Sequence, residues 1–103
     1  DAHRVFHRAL TAGCRSDILT GFCDQLFVQA ERYRNLSRQA PSSNPIQRDD
    51  EHRIIVEAVL ARQADHAVGL LNDHFVATAD LCRSVLLQRT PAAVPAEARR
   101  TPE

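Results

Sequence analysis

Through residues 1–90 the apolar side chains recur at intervals of three and four, and no segment alternates strictly between apolar and polar. The recurring interval fits one face of a helix, and strict alternation would have marked a strand. The spacing predicts four helices. The first spans about residues 1–12, with Phe6, Leu10 and Cys14 in line, Val5 and Ala9 beside them, and Gly13 as its stop. The second begins at Ser16 or Asp17, either of which can cap it, and ends near Leu36 or Arg38. Leu19, Phe22, Cys23, Leu26, Ala30 and Tyr33 form its predicted buried face. Residues Ala40 to Pro45 read as a loop between two antiparallel helices. The third helix covers about 46–61, with His52, Ile55, Ala58 and Val59 inward. Its N-terminal half carries Asp49, Asp50 and Glu51, where the helix dipole favours acidic groups. After a short turn at Arg62, Gln63 and Ala64, the fourth helix runs to about residue 89. Its stripe is Ala67, Leu70, Leu71, His74, Ala77, Thr78, Leu81 and Val85. The fold class that follows is all-α, an antiparallel helical bundle of about four helices over residues 1–89. Residues 90–103 contain Pro91, Pro95 and Pro102 and no large apolar side chain beyond Val94, the composition of a disordered tail.

Composition narrows the picture. A chain of 103 residues has room for one domain. Its 13 cations, all Arg, balance 13 Asp and Glu, so no net charge draws it to nucleic acid or to an anionic membrane. No apolar run approaches the ~18 residues of a membrane span, and no secretion signal is present. A cytoplasmic location is expected, with Cys14, Cys23 and Cys82 reduced and serving as small buried hydrophobes. The absence of Met points to a piece of a longer protein. Roughly 75–80 helical residues make a thin core, which further helices or a partner subunit are expected to complete.

The histidines carry the candidate chemistry. His3 and His7 stand four apart on one helix, so their rings share a face. His52 and His74 continue the apolar stripes of the third and fourth helices, whereas His66 falls off the stripe and is placed on the surface. Four imidazoles turned into one small core need partners, because a buried polar group without one costs about 1–3 kcal/mol. A divalent metal supplies that partner, since it binds neutral imidazole nitrogen. The alternative is a structural bundle in which each ring is hydrogen-bonded. A metal-dependent hydrolase or lyase is the third reading. It lacks support in the pattern: His3 is followed by Arg4 rather than by the Glu of a paired-His protease motif, and there is no Gly-rich phosphate loop.

Three segments carry a family resemblance: "FHRAL" at 6–10, "QLFVQAERYRNLS" at 25–37 and "EHRIIVEAVLARQADHAVGLLNDHF" at 51–75. Their order and spacing resemble the FCD domain, the C-terminal effector domain of GntR-type transcription regulators of the FadR subfamily, over about residues 1–88. The resemblance implies a bundle with a central pocket, a divalent metal held by an Asp and three His, and a small carboxylate metabolite as effector. It also implies a homodimer, no enzymatic activity, and DNA contact only through an N-terminal winged helix-turn-helix absent from this sequence. The three family histidines fall on His7, His52 and His74. The family Asp falls on His3, a departure that makes the expected site all-imidazole and turns its preference toward Zn or Ni. Arg32 or Arg34 is the expected second effector contact through bidentate pairing with a carboxylate, the alternative for either being a solvated helix face, and Tyr33, on the predicted buried face, is the better cavity candidate. Proton competition with the metal is expected at roughly pH 6–7, the ordinary histidine range.

Overall fold

The computed structural model describes residues 2–89, and the predicted disordered tail lies outside them. Four helices follow one another: α1 (Ala2–Thr11), α2 (Asp17–Ser37), α3 (Pro45–Leu60) and α4 (Ala64–Arg89). There is no strand among the described residues, and the fold is an all-α bundle. No helix among them is long and apolar enough to cross a membrane.

The helix ends are set by local chemistry. Ser16 accepts a hydrogen bond from the Leu19 amide at 3.3 Å, which places the start of α2 where a hydroxyl can cap it. Asn44 accepts from the amides of Ile46 and Gln47 at 3.0 and 3.3 Å, and Pro45 follows at the first helical position, where its missing N–H costs nothing. The turn between α3 and α4 closes with two reversed bonds: Arg62 N–H donates to the Val59 carbonyl and Gln63 N–H to the Ala58 carbonyl, each at 3.0 Å. This arrangement requires a left-handed residue after the helix, and Arg62 supplies it at φ 57°. So short a connection returns α4 antiparallel along α3.

The packing centres on α4, which lies against both α2 and α3, while α1 rests on α2. The core is small. Among the described residues Ile55 (1% exposed) is the one large, fully buried side chain, joined by Ala40, Ala58, Ala67, Cys82 and Val85. The stripe expected for α4 faces inward, with Ala67, His74 and Val85 buried and Leu70, Leu71, Ala77, Thr78 and Leu81 half-buried. On α3, Ile55 and Ala58 are buried as expected, but Val59 is exposed.

The largest difference from expectation is α2. Leu19, Phe22, Leu26 and Tyr33 are exposed, and Phe27, Ala30, Arg34 and Ser37 form the inward side. The expected face contains more large apolar residues, but the inward one can partner its polar groups. Ser37 Oγ donates to the Arg34 carbonyl at 2.6 Å, and Arg34 Nη2 donates to the Phe27 carbonyl at 2.9 Å. Cys14 and Cys23 are exposed as well, so only Cys82 fits the expectation of a small buried hydrophobe.

Candidate metal centre

Three helices meet at the histidines. On α1, His3 and His7 project from one face a turn apart, and His7 Nε2 lies 3.1 Å from His3 Nε2. From α3, His52 brings its ring centroid to 5.3 Å from that of His3 and 5.7 Å from that of His7. From α4, His74 lies 4.5 Å from His52 and stacks at 5.8 Å on His7. One nitrogen from each of the four rings lies within 4.8 Å of every other. His7 and His74 are buried, and His3 and His52 are half-buried. The structure thus brings together all four predicted residues, and it leaves His66 exposed on α4.

The donor set suits a borderline divalent ion. Four nitrogens about one ion at 2.0–2.1 Å stand roughly 3.3 Å apart, so the observed cluster needs only small ring rotations to reach that spacing. His52 Nε2 is buried with no hydrogen-bond partner among the described residues. An orphaned acceptor of this kind is costly in a plain bundle and is satisfied by a cation. Phe6, Phe27 and Phe75 pack around the rings, with centroids 5.0 Å from His52, 5.7 Å from His3 and 5.7 Å from His7 respectively. These side chains give the cluster an apolar flank, although Phe75 is itself exposed.

Burial also favours the neutral form of His3, His7 and His52. Desolvation, reinforced by the neighbouring imidazoles, lowers the pKa of His7 from 6.5 to about 4. Desolvation followed by repulsion from His52 lowers His3 from 6.5 to about 4. His52 is lowered too, first by burial and then by His74. Proton competition at His3 and His7 therefore begins well below the expected pH 6–7. The same shifts affect folding. Between about pH 6.5 and pH 4 the unfolded chain takes up protons that the folded chain refuses, so acid favours unfolding across that window. Above pH 7 His3 and His7 are neutral in both states and this contribution is constant. We expect the metal-free melting temperature to be level above pH 7 and to fall steadily from pH 6.5 toward pH 4. A level melting temperature down to pH 4.5 would show that the rings titrate freely.

The cluster forms one wall of a cavity of about 760 Å³, which Arg34, Phe27 and Thr78 also line. Arg34 lies flat on Phe27, its guanidinium carbon 3.7 Å from the ring centroid. Its side chain is only 14% exposed and pairs with Glu31. Arg34 Nε is buried and has no hydrogen-bond partner among the described residues. Arg32 and Tyr33 do not line this cavity; both are exposed, with Arg32 lying 4.9 Å over the Tyr33 ring. The reason is the register of α2, since the inward positions 27, 30, 34 and 37 leave 32 and 33 on the outer surface.

One residue at the site escaped sequence reasoning. Glu51, read as part of an acidic helix start, places Oε2 2.7 Å from His74 Nδ1. The signal available was its position one residue before His52, on the edge of the inward face of α3.

Comparison with known proteins gives a consistent family. The FCD domain model matches residues 1–77. The chain is 36% identical over 77 residues to the HTH-type transcriptional repressor GlaR of Escherichia coli (strain K12), a match covering 72% of this chain and 35% of that protein. It is 34% identical over 90 residues to the HTH-type transcriptional regulator BphR of Paraburkholderia xenovorans (strain LB400), covering 85% of this chain and 36% of that protein. The chain therefore spans about a third of the length of these curated relatives. No solved structure matches it.

Proposed function

The chain belongs to the FCD domain family, and from that premise we propose that it is the metal-dependent, carboxylate-sensing part of a GntR-type transcription regulator of the FadR subfamily. The observation that carries this reading is the convergence of four imidazoles from α1, α3 and α4 in one cavity. His3, His7, His52 and His74 hold a divalent ion, Zn or Ni by the chemistry of an all-nitrogen donor set. With a coordination position left open beyond the four rings, the ion would supply a cationic anchor for an oxygen of a small organic acid.

The protein's own part in effector binding falls to Arg34. Phe27 and Glu31 hold its guanidinium at the cavity wall, and the spare Nε–H is a donor for a carboxylate. The partial burial of Arg34 lowers the local dielectric, which strengthens that contact. Binding between α2 and the histidine helices shifts how α2, α3 and α4 pack. In the intact cytoplasmic homodimer, that shift alters the spacing of two DNA-binding domains. DNA is contacted through the N-terminal winged helix-turn-helix of the intact regulator. The exposed apolar side of α2, with Leu19, Phe22 and Leu26, supports a larger assembly than this chain alone. The role is regulatory and not enzymatic. That reading follows from the family, whose matched relatives are named as transcriptional regulators.

Calorimetric titration of the zinc-loaded chain with citrate, used as a probe carboxylate, tests this reading. Binding is expected, and Arg34→Ala should weaken it about 10- to 100-fold, the range for one charge-assisted hydrogen bond. Equal citrate affinity with and without zinc, or an unchanged affinity in Arg34→Ala, would contradict it.

A further inference from the structure

We infer that Glu51 is the positioning residue of the metal centre, fixing the tautomer and aim of His74 and supplying the negative charge that the four ligands lack. The inference rests on the metal reading above and adds to it a residue outside the four rings.

The geometry is specific. His74 is 6% exposed in side chain, Glu51 26%, and Nδ1 and Oε2 meet at 2.7 Å. An ionised carboxylate only accepts hydrogen bonds, so the imidazole Nδ1 must carry a proton to make this contact. A neutral ring protonated on Nδ1 has its lone pair on Nε2. Nε2 is thereby the nitrogen left to serve the cluster. Without Glu51 a neutral imidazole is free to place its proton on either nitrogen, and the tautomer protonated on Nε2 cannot ligate through that atom.

The helices hold the carboxylate in place. Glu51 sits on α3 one residue before His52, so a single helical turn delivers both a ligand and the partner of another ligand. Gln47, one turn earlier, points its Nε2 at the other carboxylate oxygen at 3.5 Å. On α4, Thr78 Oγ1 donates to the His74 carbonyl at 3.0 Å, anchoring the backbone from which the ring projects.

Charge gives the second argument. Four neutral imidazoles place no negative charge against a divalent cation, and the surrounding Phe wall gives none. A carboxylate hydrogen-bonded to one ligand offsets that charge from just outside the ligand shell and makes the ring more basic toward the metal.

The experiment uses the full chain with Glu51→Ala and Glu51→Gln. Gln keeps an oxygen acceptor for Nδ1–H and removes the charge, so the two variants separate aim from electrostatics. Zinc affinity, read by competition with a chromophoric chelator, is expected to fall about 10- to 100-fold in Glu51→Ala and by clearly less in Glu51→Gln. Nitrogen NMR of the metal-free chain supplies the readout that a merely structural residue would not move. His74 should be the Nδ1–H tautomer in the parent and in Glu51→Gln, and a mixture in Glu51→Ala. Zinc affinity in Glu51→Ala within twofold of the parent, or an unchanged tautomer, overturns the inference. A parent chain that binds no zinc overturns the metal reading instead, and the tautomer measurement then still decides whether Glu51 orients His74.

Discussion

Replacing His52 with alanine is expected to weaken zinc binding by roughly 100- to 1,000-fold while leaving the metal-free fold intact. Structural four-ligand zinc sites are worth about 10–16 kcal/mol, so one ligand carries roughly 2.5–4 kcal/mol, which is close to that range of affinity. The metal-free protein should tolerate the change because His52 is only half-buried and its Nε2 is an unpartnered acceptor. Truncation removes a desolvated polar atom along with some packing, and the two effects oppose each other. Zinc competition and thermal melting on the same samples check both halves. A variant that melts like the parent and also binds zinc like the parent would remove His52 from the site. His66→Ala is the control: that ring is exposed on α4 and off the cluster, and zinc affinity should not change.

Replacing Ile55 with alanine is expected to cost about 2–5 kcal/mol of folding stability, the range for a fully buried aliphatic side chain. Ile55 is 1% exposed and lies one turn beyond His52 on the helix that packs against α4. The remaining buried apolar residues are alanines, a cysteine and a valine, so little neighbouring bulk can collapse into the space. A domain of this size has only about 5–15 kcal/mol in total. At about 4–8 °C per kcal/mol, the melting temperature should drop by more than 8 °C. Leu60→Ala, at a position 77% exposed, should change stability by no more than about 0.5 kcal/mol. Denaturation of the two variants side by side checks this. Equal small losses would mean that the α3–α4 seam is not the core of the fold.

α3 and α4 were legible because positions three and four apart, through Ile55 and Ala58 and through Ala67, His74 and Val85, do face inward, although Ile54, Leu60, Val68, Phe75 and Leu87 leave apolar side chains on the outer sides. The loop composition of residues 40–45 bracketed the start of α3, which the structure places at Pro45 behind an Asn44 cap, and the 62–64 segment marked the turn. The histidine cluster was legible for the same reason. His52 and His74 sit on those stripes, and the i, i+4 spacing of His3 and His7 fixes a shared face. The orientation of α2 was not legible. Phe22, Leu26 and Phe27 give that helix apolar residues on more than one side, and large side chains alone favour the side that the structure leaves exposed. The inward side is chosen by packing against α4, a contact between distant parts of the chain that the spacing within α2 does not reveal. That choice places Arg34 in the cavity and leaves Arg32 and Tyr33 outside it. Glu51 was hidden for a related reason: its partner His74 is 23 residues away, and composition gave only an acidic helix start.

The most direct test is the metal content and coordination of the untagged chain after zinc loading and exhaustive dialysis. One zinc per chain is predicted, with an X-ray absorption spectrum showing a nitrogen and oxygen shell at about 2.0–2.1 Å, an imidazole signature and no sulfur. A chain that retains no metal, and whose melting temperature is the same with zinc and with chelator, would contradict the account.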